Sequence, residues 1–198
     1  MRLFDLAVVL LVLPLALPLL AACLLAVWLM DGRPLLNGSW RLGEHGRPFR
    51  CWKVRTLYLD HERILATHLQ SNPDSRDEWA RFAKLRSDPR VTGTGRILRK
   101  ISLDELPQLW NVLRGDMAVF GPRPFLECER DLLGVWDVDI LHRTPGLFNA
   151  YTALGRSELT VEQRVRAEEK FARGMSWRLC VWAAVRTTVR LLDRRGAR

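Results

Sequence analysis

The sequence predicts an α+β fold, mainly α, in two parts: an apolar membrane element over residues 1–32 and a charged domain of amphipathic helices with one short β-hairpin over residues 33–198. Three observations carry this reading. From Leu6 to Met30 there is no charged residue, whereas Lys, Arg, Asp and Glu are frequent beyond it. Apolar residues then recur at helical spacing in several separate stretches. One stretch alone, around residues 40–54, shows two apolar runs flanking a turn.

The apolar run is long enough, at about 1.5 Å per helical residue, to reach across a hydrocarbon core of roughly 30 Å. Pro14 and Pro18 lie inside it, and each removes a backbone donor, so a helix here is expected to bend. Three readings follow: a plain span, a bent helix that re-enters on the same side, or a lipoprotein signal, since Leu20-Ala21-Ala22-Cys23 has the form of a signal-peptidase site. Against the signal stand Asp5 in the n-region and the apolar run Leu24 to Met30 after the cleavage point, where a polar tether is expected. Arg2 before the run and Arg33 after it give no single orientation by the positive-inside rule, a symmetry that suits a hairpin returning to its own side.

In the charged part, Trp40-Arg41-Leu42 and Phe49 to Val54 flank Gly43-Glu44-His45-Gly46 and predict a hairpin, with Lys53 and Arg55 on the same side of its second strand. Those two cations either form a solvated face or meet a phosphate. His61 to Leu69 carries Ile64, Leu65 and Leu69 at helical spacing. Ser75 and Glu78 form a capping-box pattern ahead of Trp79, Phe82 and Leu85, predicting a second helix that ends at Asp88-Pro89. Thr92-Gly93-Thr94-Gly95 lacks the spacing of a P-loop and reads as a turn. Arg96, Arg99 and Lys100 then share one helix face, either solvated or in contact with an anion or lipid headgroup. Near the C-terminus Trp182, Val185, Val189 and Leu192 form an apolar stripe beside Arg186, Arg190 and Arg194. A helix of that kind lies in a membrane interface or packs on the core.

The densest chemistry lies between Arg99 and Arg123. Ser102 and Glu105 fit a capping box, and acids in a first helical turn complement the helix dipole. Pro107 conflicts with an N-cap at Ser102, and a helix beginning at Asp104 removes the conflict because Pro107 then needs no intrahelical partner. Free backbone donors would keep Asp104 ionised there, and an ionised carboxylate is a competent nucleophile toward phosphorus. Glu105 with Mg²⁺ would offset diphosphate charge, while Arg99 and Arg123 could clamp phosphoryl oxygens bidentately.

Arg2-Leu3-Phe4-Asp5, Lys53-Val54-Arg55-Thr56, the block Ser102-Leu103-Asp104-Glu105-Leu106-Pro107-Gln108-Leu109-Trp110-Asn111-Val112-Leu113-Arg114-Gly115-Asp116-Met117 and Gly121-Pro122-Arg123-Pro124 together resemble the bacterial sugar transferases, the monotopic phosphoglycosyl transferases. Asn72-Pro73, Glu78-Trp79-Ala80 and Lys84 to Arg90 resemble the hexose 1-phosphate branch. The resemblance implies a re-entrant helix-break-helix with its break at Pro18, and a catalytic domain on the cytosolic face of the bacterial inner membrane. It implies an Asp104–Glu105 dyad, with Asp104 taking a sugar phosphate from a nucleotide sugar and Glu105 holding Mg²⁺. Polyprenyl phosphate then attacks the phosphosugar-enzyme in a two-step route, and galactose or glucose 1-phosphate from a UDP-sugar is the expected donor group. Lys53, Arg55, Arg99 and Arg123 are the expected phosphate contacts. The resemblance also admits a homodimer.

The C-terminal third departs from the family pattern. Arg143-Thr144-Pro145-Gly146-Leu147-Phe148 stands where Arg-Pro-Gly-Ile-Thr-Gly is common, Glu168-Glu169-Lys170-Phe171 replaces an Asp-x-Tyr-Tyr region, and Cys180 takes the place of an Asp. The net charge of +9 suits anionic headgroups or phosphates. A nucleic-acid binder has only that charge in its favour, with no recognised motif. Cys23, Cys51, Cys128 and Cys180 are scattered and predict reduced thiols rather than a zinc or redox site. His45, His61, His68 and His142 are isolated and receive no role. The competing function is a membrane-anchored or lipoprotein binding module without catalysis.

Overall fold

The structure is a computed structural model and describes residues 2–134, 137–155 and 159–192. Helix α1 runs Arg2–Asp31 without interruption through Pro14 and Pro18. Its buried positions are Asp5, Val9, Ala16, Cys23 and Val27, and steps of four and seven residues place them on one stripe. The rest of its surface, including Leu3, Leu11, Leu15, Leu25, Trp28 and Met30, is exposed and apolar.

Both ends of α1 are tied to the same charged domain. The Arg2 guanidinium donates to the carbonyls of Val112 and Leu113. Asp5 accepts from the Val119 N–H at 2.9 Å. At the other end the Arg55 Nη2 donates to the carbonyls of Asp31 and Gly32 at 2.6 and 2.8 Å, and the Thr92 hydroxyl donates to Asp31 Oδ2 at 2.9 Å.

The predicted hairpin is present as β1 (Leu36–Leu42) and β2 (Pro48–Val54), antiparallel with Asn37 opposite Lys53 and Ser39 opposite Cys51. Helix α2 (His61–Ser71) matches its periodic stretch. Helix α3 spans Pro73–Phe82 and begins two residues before the predicted cap, because Pro73 occupies its first turn, where a missing N–H costs nothing. Ser75 bonds His68 Nε2 instead of capping. The helix stops at Phe82, ahead of Asp88-Pro89, with Ala83 in the left-handed region.

The Thr92–Gly95 segment is the start of helix α4 (Gly93–Lys100) and not a free turn: the Thr92 Oγ1 accepts from the Gly95 N–H at 2.9 Å. Gly95 is required there, since a Cβ would lie 2.3 Å from the Thr56 carbonyl oxygen. A tight turn, Leu103–Glu105, leads to α5 (Gln108–Arg114). Strands β3 (Ala118–Phe120) and β4 (Gly146–Phe148) pair in parallel. Between them lie α6 (Arg130–Leu133) and α7 (Asp137–Leu141), and after them α8 (Ala150–Leu154), α9 (Val161–Arg173) and α10 (Trp177–Leu192).

Four apolar clusters hold these elements together. Val9 of α1 packs with Phe49, Cys51, Val112, Met117 and Val119. Cys23 and Val27 pack with Val54 and Leu98. Thus α1 supplies side chains to two clusters of the domain, and each fully buried Val contributes roughly 1.5 kcal/mol or more to that seating. Leu42, Phe125, Leu133, Ile140, Leu141 and Val165 form a third cluster, and Ala150, Ala153, Phe171 and Ala183 a fourth. Helix α10 faces the domain through Cys180, Ala183 and Thr187, which leaves Trp177, Val181, Trp182, Val185 and Val189 exposed. Of the two readings of its apolar stripe, packing on the core is therefore excluded for these residues. Arg194 lies outside the described residues, as does the side chain of Leu192.

Candidate active site

A cleft of about 760 Å³ opens between the hairpin, α4, the Leu103–Glu105 turn, the loop that carries Arg123 and the start of α8 at Tyr151. Among the described residues, nine Lys or Arg line it against three acids, Asp88, Asp104 and Glu105. That imbalance suits an anionic ligand.

The dyad sits in a backbone wound more tightly than expected. Ser102 adopts the left-handed conformation and does not cap. The Glu105 N–H bonds the Ser102 carbonyl and the Leu106 N–H the Leu103 carbonyl, with α5 proper beginning only at Gln108. Asp104 is therefore not the first residue of an α-helix, as the sequence reading had it. The tighter winding continues past the dyad, with the Leu109 N–H bonding the Leu106 carbonyl and the Trp110 N–H the Pro107 carbonyl, i→i+3 bonds of the 3-10 type. Asp104 is 6% exposed and lines the cleft.

Asn111 fixes this segment to the hairpin. It is fully buried; its Nδ2 donates to the Arg50 carbonyl at 2.7 Å and to Asp116 Oδ2 at 3.1 Å, and its Oδ1 accepts from the Trp52 N–H at 3.1 Å. The Trp52 contact sets β2 beside the turn, so Lys53 Nζ reaches Glu105 Oε1 at 2.8 Å. Lys53 thus meets the dyad's second acid directly.

Arg99 also reaches the cleft, held by a 2.9 Å bond from its Nε to the Thr56 hydroxyl. Burial lowers its pKa, and Asp104, the first of its opposing charges, pulls it back up. Arg96 and Lys100, both exposed, line the cleft with it, so the basic face of α4 borders the cleft while staying open to solvent.

Arg123 enters from the loop after β3. Burial brings its pKa down to about 10, opposed by Glu129. Its guanidinium lies 4.8 Å from the Tyr151 ring centre, and the Lys84 ammonium and Arg164 guanidinium approach the same ring at 4.6 and 4.9 Å. Lys84 also donates to the Tyr151 hydroxyl.

The Arg123 loop is held by Glu168 of α9, whose carboxylate accepts from the Arg123 N–H at 3.1 Å and the Tyr151 N–H at 2.8 Å. Burial pushes Glu168 up to about 8, against the pull of Arg123. Gly121 and Gly146 let this loop close on β4, since a Cβ on Gly121 would fall 2.1 Å from the Thr144 carbonyl oxygen.

Asp104, Glu105, Lys53, Arg99 and Arg123 therefore share one cleft. Arg55 does not join them: it is buried against the C-terminal end of α1 by its bonds to Asp31 and Gly32. Val54 ends β2, so Arg55 follows the chain out of the strand instead of continuing the Lys53 face. Lys84, Tyr151 and Glu168 gave no site signal in sequence, because their partners are far along the chain. One sign was available for Glu168: with Arg164 it interrupts the apolar face of α9 formed by Val165, Phe171 and Ala172.

Among the described residues no group of three or more His, Cys, Asp or Glu side chains could hold a metal ion alone. The donor set does fit Mg²⁺ bound by one or two carboxylates together with substrate phosphate oxygens.

These features define a carboxylate dyad in a cationic cleft beside a long apolar helix. The chain belongs to the bacterial sugar transferase family, which it matches over residues 1–194. It is 38% identical over 175 residues, 88% of this chain and 77% of the relative, to the exopolysaccharide production protein ExoY of Rhizobium meliloti. It is 39% identical over 168 residues to the undecaprenyl-phosphate galactose phosphotransferase of Salmonella typhimurium, and the match covers 83% of this chain and 34% of that protein. An undecaprenyl-phosphate glucose phosphotransferase of Komagataeibacter xylinus is 44% identical over 124 residues, 62% of this chain and 20% of that protein.

Proposed function

We propose that this chain transfers a hexose 1-phosphate, galactose or glucose, from a UDP-sugar to undecaprenyl phosphate, as the opening step of a surface polysaccharide or other glycoconjugate. The observation that carries the reading is the burial of Asp104 beside Glu105 in a cleft whose other charged residues, among those described, are cationic apart from Asp88. The names of its hexose phosphotransferase relatives support the substrate class.

In the first step an Asp104 carboxylate oxygen attacks the sugar-bearing phosphorus. The bond from that phosphorus to the bridging oxygen breaks, and the nucleoside monophosphate leaves with the electron pair. In the second step a phosphate oxygen of the polyprenyl phosphate attacks the same phosphorus and Asp104 departs as the carboxylate. Proton transfer is not needed in either step. Arg99 and Arg123 hold phosphoryl oxygens, and Lys53 fixes the Glu105 carboxylate. Mg²⁺, held by Glu105 with Asp104 beside it, would offset the diphosphate charge that repels a carboxylate nucleophile.

The chain is placed on the cytosolic face of the bacterial inner membrane, with residues 1–32 as the re-entrant membrane element and residues 33–198 as the catalytic domain. The ties at both ends of α1 to one domain support this, because a plain span would carry one end about 30 Å away, across the bilayer. Continuation of the helix through Cys23, which is packed against Val54 and Leu98, disfavours a cleaved lipoprotein signal. The exposed stripe of α10 adds a second lipid contact lying in the interface.

The test is transfer of radiolabelled sugar phosphate from a panel of UDP-sugars to undecaprenyl phosphate in detergent with Mg²⁺. Wild type should transfer from at least one hexose donor, and Asp104→Asn and chelator should each abolish transfer. Full activity of Asp104→Asn removes Asp104 as the nucleophile. No transfer from any donor favours a membrane-anchored binding protein.

A further inference from the structure

Gln108 lies four residues after Asp104 and opens α5. The backbone between them, through Leu106 and Pro107, stays right-handed and is wound more tightly than an α-helix. Both residues are buried and both line the cleft.

The Gln108 side chain has an unusual position for a primary amide. The residue is 4% exposed, yet among the described residues its amide has no hydrogen-bond partner. Nor is the amide sealed in the interior, so what surface it keeps faces the cleft. Elsewhere in this segment buried amides are fully engaged: Asn111 makes three side-chain bonds and Asn149 bonds the carbonyls of Gly146 and Leu147 and the Thr152 N–H. An amide that lines a cleft without a protein partner is left to bond what occupies the cleft, water or a ligand.

We propose that Gln108 binds the phosphoryl group at Asp104, its Nε2 donating to a non-bridging phosphoryl oxygen. This rests on the reading of Asp104 as the nucleophile. A neutral donor is suited to that place. A cation at the same spot would pair with the Asp104 carboxylate and lower its nucleophilicity, whereas an amide N–H stabilises charge on the phosphoryl oxygens and leaves the carboxylate ionic. Gln108 gives up no proton in either step.

The variant to make is Gln108→Met, which keeps the length and removes both polar atoms. The full chain is used in detergent with Mg²⁺, and two measurements are taken. The first is binding of inorganic pyrophosphate, which requires no sugar and no lipid. Wild type should bind saturably, and Gln108→Met should bind at least tenfold more weakly with its melting temperature unchanged or raised. The second is sugar phosphate transfer, where kcat should fall by about 100-fold, the usual effect of losing one donor to a developing anion.

Equal pyrophosphate binding by the two proteins overturns the proposal, as does absence of binding in wild type. A lowered melting temperature with loss of binding assigns Gln108 a structural role and overturns it too. Loss of binding at unchanged stability, in a protein that transfers from no nucleotide sugar, upholds the phosphoryl contact and removes the transferase reading instead.

Discussion

Glu168, away from Asp104 and Glu105, shapes the opposite wall of the cleft. Its two carboxylate oxygens hold the backbone at Arg123 and at Tyr151, joining the loop after β3 to the start of α8. Because burial raises its pKa from 4.5 to about 8, the folded chain retains a proton that the unfolded chain has released across that interval. Its contribution to stability is thus complete below the unfolded value and is lost as pH rises toward about 8. Denaturant unfolding of wild type and Glu168→Gln across this range should show a steeper fall in wild type. Parallel curves would contradict the buried, protonated carboxyl. Cys51, on the cleft wall, is likewise raised by burial, and its thiol stays protonated near neutrality.

Among the elements, α4 shows most clearly how the dyad is positioned. Its N-terminus is fixed twice, by Thr92 bonding Asp31 of α1 and by the contact of Gly95 with the Thr56 backbone. Its C-terminal turn presents Arg99 and Lys100 to the cleft. Gly95→Ala should therefore destabilise by about 2–3 kcal/mol, as overpacking against backbone does, and should reduce transfer more than its loss of folded protein explains. Thermal melts beside activity would show this. Helix α10 gives the opposite case. Val185→Glu with Val189→Glu should leave the melting temperature nearly unchanged, as exposed substitutions do, while in anionic vesicles, where α1 still anchors the chain, quenching of Trp fluorescence by brominated lipid falls. Unchanged quenching would remove α10 from the interface. Elements with a full period were legible in sequence: α1, the hairpin, α2 and the basic face of α4. The strands β3 and β4, of three residues each, are too short to show alternation. The start of α4 was misread because Gly93 and Gly95 signal a turn, and only the proximity of Thr56 explains the second glycine.

For the molecule as a whole, one domain grips both ends of a long apolar helix and sets a carboxylate dyad in a cationic cleft next to it. Asp104, Glu105, Lys53, Arg99 and Arg123 stand out in local sequence because each lies in a short block of residue types suited to phosphate, and the structure brings them to one cleft. The cluster of Lys84, Arg123 and Arg164 around Tyr151 does not, since it joins residues as distant as Lys84 and Tyr151, 67 positions apart. Covalent carriage of the sugar phosphate by Asp104 between two displacements would let the first half of the reaction run without acceptor. The direct test is exchange of radiolabelled uridine monophosphate into a UDP-hexose by the full chain with Mg²⁺ and no polyprenyl phosphate. Wild type should show exchange and Asp104→Asn none. Transfer that proceeds with acceptor present but shows no exchange without it, or exchange that persists in Asp104→Asn, would contradict covalent carriage by Asp104.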